Sequence, residues 1–310
     1  MMRVGISVGT AFRTDGSRGH REGHLEVLSQ ARAAHRVRLD SLTLGDHHAT
    51  GPAGYVQNVP MLGRILAEWT DRPVGCLFLV PLWHPVLMAE QIGTLASMSS
   101  GPFIVQTGVG GGTEQFRAMG TQLNQRGARF EEGLRVAQAL LRGESVDSDL
   151  WDVHGAQVAP LPPHGVEWWI GGGVRKAIER AARLGDCWYG NADLTPASAR
   201  RDIDIYREAC ARSGRTPARI PIRKDVFIAE DRAEAEKAGN ALIAGGYRGF
   251  DRQAVAYGDP DSVAEQLSVF GALGFTDIII RTMSPLPPQM GAEAAARSVE
   301  LAADVRSRLA

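Results

Sequence analysis

Short apolar runs alternate with longer amphipathic stretches along nearly the whole chain, and this rhythm restricts the fold more than any other feature. Val4–Gly9 reads as a strand, and His24–His35 then places Leu25, Leu28, Ala31 and Ala34 at helical spacing. Leu39–Gly45 predicts a second strand and Pro60–Trp69 a helix with proline in its first turn. Val74–Val80, Phe103–Val109, Glu167–Ile170, Asp186–Tyr189, Ile220–Ala229 and Thr276–Arg281 complete eight strands. The third has no polar alternation, as in a strand covered on both faces. Helices are predicted over Pro85–Met98, Gln125–Arg142, Gly173–Leu184, Pro196–Ser213, Arg232–Ala244, Asp259–Leu273 and Ala292–Leu309. Strict strand–helix alternation implies parallel strands. Eight units suit a closed (β/α)8 TIM barrel better than a doubly wound sheet with an extra lobe. Residues 1–310 are therefore expected to form one α/β barrel domain. Insertions fall near 143–165, where Pro160, Pro162 and Pro163 follow a predicted hairpin, and near 245–257.

Charge and cysteine content narrow the function classes. Lysine and arginine total 34 against 35 acidic residues, a formal net charge of −1. No basic excess for nucleic acid exists. Cys76, Cys187 and Cys210 are odd in number and far apart, which predicts reduced thiols in a cytoplasmic protein. The longest apolar run, Val74–Trp83, is too short for a membrane span. The scattered histidines give no metal-ligand spacing, so no metal is expected.

In a barrel the chemistry collects at the C-terminal ends of the strands. Gly45-Asp46-His47-His48 follows the second strand. A histidine pair there can move a proton or hydrogen-bond to developing negative charge, and Asp46 can fix a tautomer. A polar loop start is the plainer alternative. Gly108-Val109-Gly110-Gly111-Gly112 follows the fourth strand and Gly171-Gly172-Gly173-Val174-Arg175-Lys176 the fifth. Bare backbone, a helix start and two cations suit a phosphate. Either stretch alone also reads as an ordinary tight turn. Trp83, Tyr189 and Met283 stand at strand ends, where they would give an apolar substrate site if they face inward.

In order, these stretches resemble the bacterial luciferase-like superfamily of flavin-dependent monooxygenases and deazaflavin-dependent oxidoreductases. The longest likeness is His84-Pro85 through Ser99, then Gly101-Pro102-Phe103, Gly108–Gly112 and Glu114-Gln115-Phe116 to Gly120. Arg129–Leu134, Trp169–Gly172, Ala181–Trp188 and Gly258–Val263 extend it over nearly the whole chain. The resemblance implies an oxidoreductase with a flavin across the barrel mouth, a small-molecule substrate, a homo-oligomer such as a dimer, and a separate flavin reductase as partner. It implies that His47 or His48 meets the reacting ring. Cys76 and Leu77 would back that ring, often through a non-proline cis peptide in the family. Thr107, Gly108 and Gly110 would lie beside the cofactor, and Gly171, Gly172, Gly173, Val174 and Arg175 would hold its phosphate. Pro102 and Val109 depart from the family pattern, which often has arginine at these steps. Reduced FMN with oxygen and coenzyme F-420 with hydride transfer both stay open, as does a flavin-binding protein without activity.

Overall fold

The computed structural model describes residues 2–9, 12–13, 20–51, 53–284 and 293–309. Nine strands form its main sheet: β1 Arg3–Val8, β2 Leu42–Leu44, β3 Val74–Leu79, β4 Phe103–Gly108, β5 Val166–Gly171, β6 Cys187–Tyr189, β7 Pro221–Ile228, β8 Val255–Gly258 and β9 Asp277–Thr282. Their order is β6-β5-β4-β3-β2-β1-β9-β7-β8. The pairs β1–β9, β7–β9, β7–β8 and β3–β4 are parallel. Ten helices accompany them among the described residues: α1 His20–Arg36, α2 Asn58–Leu66, α3 Pro85–Ser97, α4 Thr113–Ala118, α5 Arg126–Leu141, α6 Arg175–Leu184, α7 Pro196–Arg212, α8 Arg232–Ala244, α9 Pro260–Leu273 and α10 Ala294–Leu309. The chain is an α/β fold built on this nine-stranded sheet.

Eight strands fall where the apolar runs predict them. The ninth, β8, corrects the expectation of a simple loop insertion over 245–257. Val255-Ala256-Tyr257-Gly258 adds to β7 in the register Asp225↔Val255 to Ile228↔Gly258. Four residues are too few to show a period, and their pairing is long-range. The expected hairpin forms, with Val146–Ser148 antiparallel to Val153–Ala156. It turns through Asp152 at φ 51.

The chain packs as two compact units, Thr43–Trp169 and the remainder, Met1–Leu42 with Ile170–Ala310. In the first, β3 and β4 approach so closely that a Cβ on Gly75 would sit 1.9 Å from the Ile104 carbonyl oxygen. Helix α3 buries Met88, Ala89, Ile92, Leu95 and Ala96, an i, i+3, i+4 stripe. In the second, Val4, Ile6, Ile278, Ile280 and Val226 are buried on β1, β9 and β7. Each contributes roughly 1.5–3 kcal/mol of apolar burial. Helix starts are capped by side chains: Asp259 accepts from the Ser262 amide ahead of Pro260, and Thr195 with Ser198 forms a capping box on α7.

Lys224 is buried on β7, where its Nζ donates to the carbonyls of Ala192 (3.2 Å) and Leu194 (2.7 Å) and lies over the Phe270 ring. Burial pushes its pKa down from 10.5 to about 7, with Asp225 and Asp193 opposing and Arg223 adding to the fall. Above pH 7 the unfolded chain then keeps a proton that the folded chain has released. Stability should rise by up to about 1.4 kcal/mol per pH unit from pH 7 toward the ordinary lysine range. Urea unfolding at pH 7, 8 and 9 checks this, and Lys224→Met should flatten the slope.

Candidate active site

Within Thr43–Trp169, strand β2 ends at Leu44 and delivers Asp46 into a buried position, 1% exposed. Its carboxylate is anchored from two elements. The Leu79 amide at the end of β3 donates to Oδ2 at 2.7 Å, and the Trp83 indole N–H donates to the same oxygen at 2.8 Å. The other oxygen, Oδ1, lies 3.0 Å from His48 Nε2. That is ion-pair distance, although the angles fall outside a hydrogen bond. The His48 backbone amide donates to Gln115 Oε1 on α4 (3.2 Å), and its ring meets the Trp83 ring edge-on at 5.5 Å. His47 turns to a different neighbourhood. Its ring lies 3.8 Å from that of Tyr55, and its carbonyl accepts from Gln57 Nε2. The two histidines are thus separated by role: His48 sits against a fixed carboxylate, His47 against an aromatic ring.

Strand β3 alternates its side chains in pairs with β4, in the register Cys76↔Val105, Leu77↔Gln106, Phe78↔Thr107 and Leu79↔Gly108. Cys76 is wholly buried. Burial first, and then the negative Asp46, push its pKa well above the usual thiol value, so it stays protonated. Leu77 is half-buried, and its carbonyl accepts from Asn58 at the start of α2, 2.6 Å away. Among the described residues the one cis peptide is Ala159–Pro160, so the Cys76–Leu77 bond is trans. On β4, Thr107 Oγ1 and Gln106 Nε2 are buried without a hydrogen-bond partner among the described residues. Gly108 and Gly110 follow, and Gly110 takes φ 67, a left-handed conformation suited to glycine. A Cβ there would touch Phe116 and Leu79.

Within Met1–Leu42 and Ile170–Ala310, the second glycine stretch forms a tight turn between β5 and α6. The Gly172 carbonyl accepts from the Trp188 indole (2.9 Å), and a Cβ on Gly172 would lie 2.4 Å from that of Ala177. Asn191 Nδ2 would lie 2.7 Å from a Cβ on Gly173. Val174 is the N-cap of α6 and supplies no side-chain cap; its carbonyl accepts from the Ala177 amide, which leaves the Arg175 and Lys176 amides at the start of a ten-residue helix to other partners. Arg175 is exposed and pairs with Glu179 at 3.4 Å. Tyr189 is buried at the end of β6. Met283 differs from the expectation of a mouth-lining residue. It is wholly buried with Phe227, Tyr247, Val255 and Tyr257, so the packing of α8 and β8 leaves it no surface for a substrate. Residues 14–19, before His20, and residue 52, within Gly51–Val56, lie outside the described residues.

Sequence reasoning did not single out Gln115, Tyr55 or Asn58. Gln115 lay in a family-like step, but its reach across 67 residues to His48 needs the fold.

A family model of luciferase-like monooxygenases matches residues 2–256. Among curated relatives, an F420-dependent glucose-6-phosphate dehydrogenase of Mycobacterium avium (strain 104) is 26% identical over 174 residues, covering 52% of this chain and 51% of that one. The chain spans about half the length of the curated relatives it matches first. Monooxygenase RslO1 from Streptomyces bottropensis has the same fold, with TM-score 0.78, 22% identity and 98% of both chains covered. So does the oxygenating constituent of 3,6-diketocamphane monooxygenase from Pseudomonas putida, solved with FMN, with TM-score 0.81, 17% identity and 100% and 99% coverage. A match over that much of the sequence settles the question of kinship: the chain belongs to the luciferase-like monooxygenase family.

Proposed function

We propose that this protein is a flavin-dependent oxidoreductase, a monooxygenase that uses reduced FMN and oxygen on a small organic substrate. The observation that carries the reading is the buried Asp46 carboxylate, fixed from Leu79 and Trp83 and set against His48. Such a pair orients an imidazole for proton transfer. The site residues fit a flavin. Thr107 and Gln106 carry unpartnered buried polar atoms, the glycines after β4 leave backbone open, and the uncapped α6 start suits a phosphate. When bound, FMN would supply the redox chemistry.

The protein's own groups do the rest. Asp46 holds the His48 ring, and His48 holds or moves a proton at Nε2. Trp83 anchors Asp46 through its indole N–H, sets its ring edge-on to His48 and lines the substrate space. His47, packed against the Tyr55 ring, has an orienting part only. Cys76 and Leu77 back the ring, and Gly171 to Arg175 take the phosphate.

A second reading, hydride transfer with coenzyme F-420, is favoured by the F420-dependent dehydrogenases among the relatives. A flavin-binding protein without activity leaves the Asp46–His48 arrangement without a use.

We further propose that residues 1–310 are one domain whose sheet closes as a (β/α)8 barrel. The parallel bridge Gly190↔Ile222 supports closure, with Gly190 N to Pro221 O at 2.9 Å and Arg223 N to Gly190 O at 3.1 Å. A cytoplasmic location agrees with three buried cysteines that are not joined in disulfides, and no helix among the described residues is long and apolar enough to cross a membrane. A homo-oligomer, a dimer in the simplest case, and a separate flavin reductase complete the proposal.

Titration with FMN, reduced FMN and coenzyme F-420, followed by fluorescence and calorimetry, tests the reading. One of them should bind. Gly172→Ala should weaken that binding by at least about 10-fold, because its Cβ collides with Ala177 and displaces the turn. Binding of none of the three would overturn the cofactor assignment.

A further inference from the structure

A second cluster of charge lies on β7 and β9. In the register Asp225↔Arg281 and Arg223↔Ile279, the side chains of Arg223, Asp225 and Arg281 share one face of the two strands. The turn Tyr247–Gly249, after α8, adds Arg248. Asp225 is wholly buried. Its Oδ2 accepts from the Tyr247 hydroxyl and from Arg248 Nη1, each at 2.9 Å. Arg223 Nε stands 3.4 Å from Oδ1, and neither atom completes a hydrogen bond.

Three guanidiniums therefore face one carboxylate. Arg281 has no hydrogen bond and no acid within ion-pair distance among the described residues. Burial lowers its pKa, the neighbouring Arg223 and Arg248 lower it further, and Asp225 alone among the carboxylates opposes them. Like charges gathered in a partly desolvated place repel, and nothing in the packing of β7 against β9 requires them. The backbone supports the arrangement at a cost. Arg248 holds φ 50, a left-handed conformation that residues other than glycine rarely adopt, between Gly246 and Gly249, which share it. Arg223 and Arg248 remain reachable, with side-chain exposures of 24% and 37%. Arg281 is the next-to-last residue of its strand, at the sheet end where α/β proteins bind ligands.

We propose that Arg223, Arg248 and Arg281 form a receptor for an oxyanion group, a carboxylate or phosphate ester, on the small-molecule substrate, a specificity site that rests on the enzymatic reading above. A carboxylate or phosphate group has oxygens enough to accept from two guanidiniums at once and supplies the charge the cluster lacks. Tyr247 fixes the Asp225 carboxylate, and Asp225 holds Arg248. Asp225 also competes with the incoming anion, which gives the proposal an unusual sign: removing this acid should tighten anion binding.

The test is calorimetric titration of the full chain with inorganic phosphate, and separately with FMN. The wild type should bind one phosphate per chain at this site. Arg281→Gln and Arg248→Gln should each weaken phosphate binding at least about 10-fold, with FMN affinity and the exposed-surface control Lys237→Gln unchanged. Asp225→Asn should strengthen it. If that variant fails to fold, the two arginine variants decide alone. No phosphate binding by the wild type, or equal binding by the arginine variants, would overturn the receptor and leave the cluster as packing around Asp225. Parallel loss of FMN would also overturn it, since the anion would then be the cofactor's. Phosphate binding without FMN binding would support the receptor and count only against the cofactor assignment.

Discussion

Replacing Asp46 with alanine is expected to destabilise the fold by about 3 kcal/mol and to remove most of the turnover. The carboxylate is 1% exposed and takes donors from the Leu79 amide and the Trp83 indole. Alanine leaves both donors buried with no acceptor, each costing roughly 1–3 kcal/mol. It also leaves the His48 ring without the acid 3.0 Å from Nε2. Asp46→Asn keeps the volume and can keep its amide oxygen toward both donors, with its NH2 toward His48 Nε2, so it should recover most of the stability while removing the charge that faces the imidazole. Urea unfolding measures the first effect. A loss under about 1 kcal/mol would mean that water or neighbouring groups satisfy the two donors instead.

His48→Gln should lower kcat by roughly 10²–10⁴-fold, the scale of a positioned acid–base group. His47→Gln should cost less than about 10-fold, since its ring is stacked on Tyr55 and the carboxylate faces His48. The sequence alone treats the two as equals. Coupling is the sharper readout. If Asp46 acts through His48, the double variant Asp46→Asn with His48→Gln should be hardly slower than His48→Gln alone. Additive losses would separate the two residues, and equal effects at His47 and His48 would remove the assignment of roles. Rates are measured with whichever cofactor the titration selects.

How much of this was legible beforehand depended on range. The strand and helix positions came from short periodic patterns, and β1 through β7 and β9 all fall within a few residues of them. Asp259 caps α9 ahead of Pro260, a contact over three residues that a short stretch of sequence can carry. β8 was missed because four residues carry no period and its partner β7 lies about 30 positions away. The same holds at the site. Asp46, His47, His48 and Trp83 were visible as residue types at strand ends. That Trp83 serves Asp46 with its indole N–H, 37 positions away, was not. Met283 shows the opposite failure: a strand-end position suggested a mouth, and the helix α8 with β8 closed over it. The arginine cluster joins positions 223, 248 and 281, and no spacing in the chain marks them as neighbours.

By itself, the sequence determined the α/β class, the succession of elements, the glycine-rich turns after β4 and β5, and the family. These follow from local periodicity, caps and motifs, which act over a few residues. Only the tertiary structure decided which histidine meets the acid, which tryptophan joins it, and where three arginines gather round one carboxylate. Such choices depend on register and packing between strands far apart in the chain, where a shift of one residue turns a side chain to the opposite face.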